Sequence, residues 1–338
     1  MNVRISGQHQ VVETTDMPNA ILHGHIAPVT SGDNALDLSG QDLAAIPDHV
    51  RSHTTLKALN VDRNQLVTLP DWIGQLPHLR SLSAYHNRLA ALPESLWQLV
   101  GLQTLNLAAN RLACVPHGIA QLGQLQMLDL GHNALMDLCD AIGDLHDVRY
   151  LYLSHNHLSS LPASMAHLAA LIYLNITDNQ MVALPDWVGN LSALVELRLY
   201  NNQIARLPET IGALTHVREL HLTNNHLTAL PDAIGQLTQL RQLDLERNHL
   251  SALPPSIGAL HQLTSLNLRD NRLTTLPESL GLLSNLRFLD LRANGLTDLP
   301  DSLGALPQLE KLDLRWNRLA SLPAWASGLK GRGCVVWA

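Results

Sequence analysis

The hydrophobic positions of this chain repeat every 23 residues. Aliphatic residues, mostly leucine, stand at fixed distances from an asparagine that recurs twelve times without an insertion, from Asn64 to Asn317. The segment LRQLDLERNHLSALP, residues 240–254, shows the shared pattern L-x-x-L-x-L-x-x-N-x-L-x-x-L-P. A less regular unit containing Leu36 and Leu38 precedes the series. Such self-similarity predicts a solenoid in which each unit buries its leucines against its neighbours.

Each part of the repeat predicts a local structure. The L-x-L segment alternates apolar and polar residues, as a strand does when one of its faces is buried. Stacked copies of this strand form a parallel sheet. The asparagine follows the strand, and we expect its amide to bond backbone groups that the turn leaves unpaired, so that successive asparagines form a ladder. Proline stands six residues after the asparagine, where it fixes φ and no sheet hydrogen bond is needed. Cys139 replaces this proline in one of the twelve repeats.

The repeat resembles the leucine-rich-repeat family. The spacing and the segment LPDAIGQL, residues 230–237, are similar to a 23-residue subclass. That subclass includes intracellular Ras-group proteins, scribble-like scaffolds and several bacterial effectors. The resemblance implies an α/β fold, a curved solenoid with a concave parallel sheet and short, irregular or 3₁₀ segments outside it. It also implies a non-catalytic module that binds another protein through the concave face.

Three segments follow from where the repeat begins and ends. We expect an N-terminal capping segment at residues 1–34, the solenoid at 35–323 and a C-terminal cap at 324–338. Terminal repeats need a cover because they expose strand edges and open leucine core. The apolar residues available for the two covers are Ile21, Leu22, Ile26 and Val29 at one end, and Trp325, Leu329, Val335, Val336 and Trp337 at the other.

Three outward rows of side chains follow from the strand phase. We define the first, second and third rows as the positions six, four and two residues before each repeat's asparagine. All five tyrosines and the single phenylalanine of the chain fall in these rows. Since neighbouring strands lie ~4.8 Å apart, three of the tyrosines and a methionine of the first row should form one patch. We call this patch the tyrosine cluster: Met127, Tyr150, Tyr152 and Tyr173.

The tyrosine cluster predicts a binding surface. Tyrosine combines an apolar ring with a polar tip and is enriched among the residues that dominate interface energies. We expect this site to continue at its margin into Glu196, Arg198, Tyr200 and His221. The alternative is that tyrosine merely suits an exposed sheet surface, although tyrosines would then be expected on the end repeats as well.

Charged residues replace the aromatic ones toward the C-terminus. Arg269, Arg292 and Arg315 follow one another in the third row. Asp244, Asp290 and Asp313 stand in the second row beside them. We expect these columns to neutralise each other, with a rim that steers a charged partner as the alternative.

Composition narrows the classes of partner. The net charge of −7 gives no basic field for a nucleic-acid backbone, and no apolar run has the length of a membrane span. Three cysteines do not form a disulfide framework, so we expect a reducing compartment. We interpret Cys114 and Cys139 as small buried residues. The sequence thus favours a monomer in the cytoplasm. The alternative is a bacterial effector delivered into a host cell without a cleavable signal peptide, where it would bind a host protein.

Catalytic chemistry has weak support. No nucleophile, phosphate-loop or zinc-protease motif is present, so we expect neither an enzyme nor a cofactor. One alternative stays open. The position directly before the asparagine, which we call the fourth row, holds His132, His155 and Asp178 in consecutive repeats. Imidazole and carboxylate groups of this kind can bind zinc, so this row is the candidate for a metal-binding or enzymatic protein.

Overall fold

The strand segments of successive repeats pair in one register. In the computed structural model, which describes residues 34–338, Leu36 pairs with Leu59 and Leu59 with Leu82, and the same offset of 23 residues continues to β13. The result is a single parallel sheet whose strands follow chain order. The strands are β1 Ala35–Asp37, β2 Ala58–Asn60, β3 Ser81–Ser83, β4 Thr104–Asn106, β5 Met127–Asp129, β6 Tyr150–Tyr152, β7 Tyr173–Asn175, β8 Glu196–Arg198, β9 Glu219–His221, β10 Gln242–Asp244, β11 Ser265–Asn267, β12 Phe288–Asp290, β13 Lys311–Asp313 and β14 Val335–Trp337.

A short 3₁₀ helix lies on the opposite side of each repeat. The residue before it is usually the repeat's proline, in extended conformation, as at Pro231 with φ −68° and ψ 153°. Cys139 adopts φ −70° and ψ 153°, so the one repeat without proline keeps the same path. The 3₁₀ helices are Asp48–Ser52, Ile73–Gln75, Glu94–Gln98, His117–Gln121, Asp140–Asp144, Ala163–His167, Asp186–Asn190, Glu209–Ala213, Asp232–Gln236, Pro255–Ala259, Glu278–Leu282 and Asp301–Ala305.

The core is a set of leucine columns between the sheet and the 3₁₀ helices. The central residue of each strand belongs to one column, and Leu151, Leu174 and Leu197 in that column are at most 1% exposed. A single repeat cannot bury these side chains, because each leucine is covered by the repeats on either side. The core is therefore continuous along the solenoid.

The predicted asparagine ladder is present. Asn225 donates from Nδ2 to the carbonyl oxygens of Leu199 at 2.9 Å and Leu222 at 3.0 Å. Its Oδ1 accepts a hydrogen bond from the backbone N–H of Ile204 at 3.0 Å. Since one of these partners lies in the same repeat and the others lie in the preceding one, each asparagine joins two repeats.

The fourth row has an unusual backbone conformation. Its twelve residues, from Arg63 to Trp316, all have φ between +52° and +63°. This left-handed region is uncommon outside glycine, and Asn, Asp and His enter it more readily than most residues. His132, His155 and Asp178 thus occupy positions whose residue type is partly set by the turn.

The C-terminal segment continues the sheet. Residues 324–338 form a short α-helix, α1 Trp325–Gly331, and the final strand β14. This strand pairs in parallel with β13. Leu329 is buried and belongs to the hydrophobic core. Val335 and Trp337 are instead 47% and 41% exposed, because they lie on the solvent side of the added strand. The apolar residues expected to cover the first repeat lie outside the described residues.

The cysteines differ from our interpretation. Cys114 is exposed and Cys139 is half-buried, whereas Cys334 is buried. The leucine columns are already filled by residues such as Leu112 and Leu138, so Cys139 packs against the edge of the core and Cys114 lies outside it.

Candidate functional site

The strand register brings the tyrosine cluster together. Met127 pairs with Tyr150 and Tyr150 with Tyr173 in the first row. In the second row, Tyr152 lies between Asp129 and Asn175. The four side chains of the cluster therefore occupy three adjacent strands on one face.

The rings of the cluster contact one another. The ring centroids of Tyr152 and Tyr173 lie 4.9 Å apart with an interplanar angle of 40°. The guanidinium of Arg198 lies over the Tyr173 ring at 5.6 Å from its centroid. Burial raises the pKa of Tyr152 to about 12 and raises that of Tyr173 further. Both phenols are neutral at physiological pH and present rings and hydroxyl groups rather than charge.

The predicted margin of the site carries one ion pair and one hydrogen bond within its own strands. Arg198 Nε donates to Glu196 Oε1 within β8, and His221 Nε2 lies 3.2 Å from Glu219 Oε2 within β9. The hydrogen bond with His221 lowers the pKa of Glu219. Tyr200 is half-buried in the third row of the same repeat as Arg198. All eight predicted residues, from Met127 to His221, thus lie on five consecutive strands or directly after them.

The second row has a structural role that the sequence reasoning missed. Where it holds Asn or Asp, the side-chain oxygen accepts the backbone N–H two residues later. Examples are Asn106 to Ala108 at 3.0 Å and Asn175 to Thr177 at 3.0 Å. We call this hydrogen bond the strand-end cap. It occurs at Asp37, Asn60, Asn106, Asp129, Asn175, Asp244, Asn267, Asp290 and Asp313.

Four repeats have another residue in the second row. At Ser83 the missing oxygen is replaced, because Asp62 of the preceding repeat accepts the N–H of Tyr85 at 2.8 Å. The other three residues are Tyr152, Arg198 and His221. Their side chains carry no carboxylate or carboxamide oxygen, so the local cap is given up in three of four consecutive repeats. All three belong to the predicted binding site.

The predicted metal row is organised differently from a metal site. His132 stacks on His155 with ring centroids 3.9 Å apart. His155 Nε2 lies 3.2 Å from Asp178 Oδ2, and Asp178 Oδ1 accepts a hydrogen bond from Asn201 Nδ2 at 2.7 Å. Stacking turns a ring face of His132, rather than a ring nitrogen, toward its neighbour. Burial and the adjacent His155 lower the pKa of His132.

A different group brings metal-type donors together. Among residues 34–338, Glu196, Glu219 and His221 place one ligand atom each within 4.8 Å of one another. Two carboxylates and an imidazole are a donor set that zinc accepts. In this structure Arg198 already bonds Glu196 and His221 already bonds Glu219. The polar atoms of this group therefore already have hydrogen-bond partners within the chain.

The C-terminal part of the concave face pairs its charges internally. Arg315 Nη2 lies 2.7 Å from Asp313 Oδ2, and Arg292 Nε lies 3.4 Å from the same carboxylate oxygen. Arg292 Nε also donates to Asp290 at 2.9 Å. Burial opposes the charge of Asp313, but hydrogen bonds from Arg315 and the charge of Arg292 outweigh it and lower the pKa of this carboxyl group. We call these four residues the ion-pair cluster. Its geometry agrees with the expected neutralisation.

Comparison with known proteins identifies the repeat. A family profile described as a leucine-rich repeat region matches residues 137–227 and 207–286. A second, described as leucine rich repeat, matches residues 86–135 and 261–319. Comparison with curated proteins gives no match. Among residues 34–338, no helix is long and apolar enough to cross a membrane.

Solved structures show the same solenoid. A leucine-rich-repeat protein of Leptospira interrogans is similar with a TM-score of 0.62 and 29% identity, over 89% of this chain and 94% of that one. The plant peptide hormone receptor RGFR1, solved in complex with RGF2, has a TM-score of 0.77 and 28% identity, over 86% of this chain. This chain spans about half of that receptor chain, 49%. An internalin of Listeria monocytogenes, with 23% identity and a TM-score of 0.65 over 86% of this chain and 87% of that one, shows the fold alone.

Proposed function

This chain is a leucine-rich-repeat protein, and from that premise we propose that it is a non-catalytic interaction module whose concave face binds another protein. The binding site we propose is centred on Met127, Tyr150, Tyr152 and Tyr173. Glu196, Arg198, Tyr200 and His221 form its margin. Proteins with this fold commonly bind other proteins, and the plant receptor RGFR1 was solved with RGF2 bound.

One observation carries the proposal. The strand-end cap is absent where Tyr152, Arg198 and His221 stand, and these positions coincide with the aromatic part of the sheet. A hydrogen bond of this kind contributes about 1 kcal/mol to stability, so three such replacements lower the stability of the fold. Tyrosine and arginine are among the residue types most enriched at binding hot spots. Stability is therefore lost where side chains suited to binding are gained.

The dimensions suit a segment of protein. The second-row residues from Tyr152 to His221 occupy four adjacent strands, β6 to β9. At ~4.8 Å between strands they span about 15 Å. An extended segment of a few residues, or one face of a helix, covers that length. The rings are partly exposed and preordered by their mutual contact, which limits the entropy lost on binding.

Affinity capture tests the proposal. The purified protein is immobilised and exposed to a lysate of the cells that produce it, and bound proteins are quantified by mass spectrometry. The test variant carries Tyr150→Ala, Tyr152→Ala and Tyr173→Ala. We expect a specific protein to be retained by the wild type and lost by this triple variant, because clustered hot spots together contribute several kcal/mol.

A second triple variant is the control. It carries Ser265→Ala, Phe288→Ala and Lys311→Ala, which lie in the first row of the C-terminal part of the sheet. Both variants must melt at the temperature of the wild type. Equal retention by all three proteins would contradict the proposed site. Loss of binding in the control alone would move the site to the C-terminal half.

The location of this protein in the cell stays a prediction. We propose the cytoplasm, with delivery into a host cell as the alternative. Fractionation with antibody detection distinguishes the two, since a delivered effector appears in the medium or in the host fraction.

A further inference from the structure

Asp129 differs from Asp290 and Asp313 in its electrostatic surroundings. Asp290 and Asp313 pair with Arg292 and Arg315. Asp129 is half-buried, and among residues 34–338 no Lys, Arg or His side chain forms an ion pair with it. Its oxygen accepts the N–H of Gly131 at 2.9 Å. Burial raises the pKa of this carboxyl group to about 6, so it is mostly ionised at neutral pH. Burial also raises the pKa of Asp244, which likewise forms no ion pair within residues 34–338, but a hydrogen bond with Thr223 and the charge of His221 partly offset that burial.

The fold does not need this charge. The same strand-end cap is made by the neutral side chains of Asn60, Asn106, Asn175 and Asn267. A buried carboxylate without a cation costs free energy that a carboxamide does not. The charge at position 129 thus serves something other than the cap.

Aromatic and small residues surround Asp129 on the concave face. Tyr152 is its register partner on β6, and Met127 lies in the same strand on the same face. The third-row position beside it is Gly131, where a Cβ atom would lie 3.2 Å from Asp129 Oδ1 and 3.2 Å from Ser154 Oγ. The absence of a side chain there keeps this carboxylate oxygen uncrowded.

The ring pair next to Asp129 already binds a cation at its other end. Arg198 covers the Tyr173 ring, and Tyr173 contacts Tyr152. Tyr152 in turn lies beside Asp129. A cation placed here would meet a carboxylate and an aromatic face together, the combination that attracts ammonium and guanidinium groups.

We propose that the partner inserts a lysine or arginine side chain between Asp129 and Tyr152. This inference rests on the proposed function, because it names the chemistry of a partner that binds the tyrosine cluster. The partner segment therefore carries one basic residue that contacts Asp129, next to apolar residues that contact Met127 and Tyr150. It supplies the positive charge that Asp129 lacks within its own chain.

Peptide selection tests this pairing without a known partner. A random peptide library is displayed on phage and selected on the immobilised full-length protein. Four proteins are compared: the wild type, Asp129→Asn, Asp290→Asn and the triple tyrosine variant. Asp290→Asn is matched, since it makes the same change in the same row of the C-terminal half. We expect wild type and Asp290→Asn to select peptides with Lys or Arg at one fixed position, and Asp129→Asn to lose that preference.

Affinities of one selected peptide complete the test. Replacing its basic residue with norleucine, which keeps the length without the charge, should weaken binding to the wild type at least about tenfold. The same replacement should leave the affinity for Asp129→Asn nearly unchanged. That pattern identifies a direct pair, because each change matters only while the other partner is charged.

The outcomes separate the two proposals. Enriched peptides without a basic preference, or a basic preference that survives Asp129→Asn, overturn the pairing and leave the binding site intact. Peptides that bind the triple tyrosine variant as well as the wild type, or no enrichment at all, overturn both proposals.

Discussion

The centre and the C-terminal end of the concave face share one backbone and differ in how their side chains are used. At the C-terminal end, Asp290 and Asp313 cap their strands and also pair with Arg292 and Arg315. Each of these four charges has a partner in its own chain. In the centre, Tyr152 and its counterparts on β8 and β9 give up the cap. The missing cap can be recognised because the same position recurs in every repeat and can be compared among them.

In a repeat protein, a position that departs from the structural role of its counterparts is a candidate for function. An exposed tyrosine by itself has an ordinary explanation in sheet propensity. A tyrosine that replaces a structural hydrogen bond needs a further reason. The ion-pair cluster shows the opposite case, because its charges are paired with one another and need no binding partner to neutralise them.

The largest expected effect tests whether the asparagine ladder stabilises the centre and the C-terminal end of the solenoid equally. Asn225→Ala and Asn294→Ala should each lower the free energy of unfolding by about 3 kcal/mol, because each leaves a buried N–H and carbonyl oxygens without partners. Asn294 accepts from Leu273 and donates to Leu268 as Asn225 does to its own neighbours. Urea denaturation followed by circular dichroism measures the loss.

The control for these variants is Asn224→Ala. Asn224 is exposed and has φ of +54°, a conformation that Ala109 and Ala293 also adopt. It should cost far less than Asn225→Ala. A much smaller loss at Asn225 than at Asn294 would mean that the centre depends less on the ladder, and the two regions would then differ in their support as well.

The next effect is the change in stability on removing the charge of an aspartate without an ion pair, Asp129, compared with one that has an ion pair, Asp290. The folded protein releases the proton of Asp129 with a pKa of about 6, against an ordinary value of 3.8. Its charge therefore lowers stability increasingly as pH rises from about 4 to 6, and the full penalty is present above that range. Asp129→Asn should stabilise the protein at pH 8 by on the order of 2 kcal/mol, with little effect at pH 4.

Asp290→Asn is the matched variant for this experiment. Since Asp290 pairs with Arg292, losing its charge should leave stability at pH 8 unchanged or lower. Thermal denaturation of both variants at the two pH values gives the comparison. A destabilising Asp129→Asn at pH 8 would show that the carboxylate has a favourable partner within the chain.

A smaller effect isolates the strand-end cap. Tyr152→Asn and Tyr152→Ala both remove the ring that contacts Tyr173. The asparagine can accept the N–H of Ser154 as Asn175 accepts that of Thr177. It should therefore be more stable than the alanine variant by about 1 kcal/mol, as measured by urea denaturation. Equal stability would remove the argument that the centre gives up a structural bond.

The smallest effect concerns the ion-pair cluster. Arg292→Ala should lower the free energy of unfolding by about 1 kcal/mol. The pair of Arg292 with Asp290 is partly exposed and contributes little, and the buried Asp313 keeps its pair with Arg315. Binding of a peptide selected on the wild type should stay the same. Titration calorimetry measures the affinity, with Arg198→Ala as the variant expected to weaken it. Loss of binding in Arg292→Ala would extend the site to the C-terminal end.

Much of the fold could be predicted from the sequence because its period never changes. The leucine spacing predicts the strands, and the constant interval of 23 residues predicts the register that places Tyr150 beside Tyr173. The asparagine ladder follows from where its amide stands in the turn. The final strand β14 was not predicted, since Val335–Trp337 lacks the repeat pattern and pairs with β13 at an offset of 24 residues.

The site was only partly predictable for a physical reason. Sequence phase assigns a side chain to a face but not to a rotamer or a hydrogen bond. The row of Asn and Asp residues in the second position was visible, yet its caps depend on the direction of the N–H two residues later. The stacking of His132 on His155 likewise depends on ring orientation. The function of the tyrosine cluster stays a prediction.

The unbroken register of β1 to β13 fixes the distances between side chains along the sheet. Any two side chains in the same row are separated by a whole number of strand spacings of ~4.8 Å. Removing one 23-residue unit between β9 and β12 would rejoin equivalent strand positions. It would bring the ion-pair cluster one step closer to the tyrosine cluster without altering either. A partner long enough to contact both clusters would then bind with a different affinity. The spacing between the two clusters can therefore be changed in increments of one repeat.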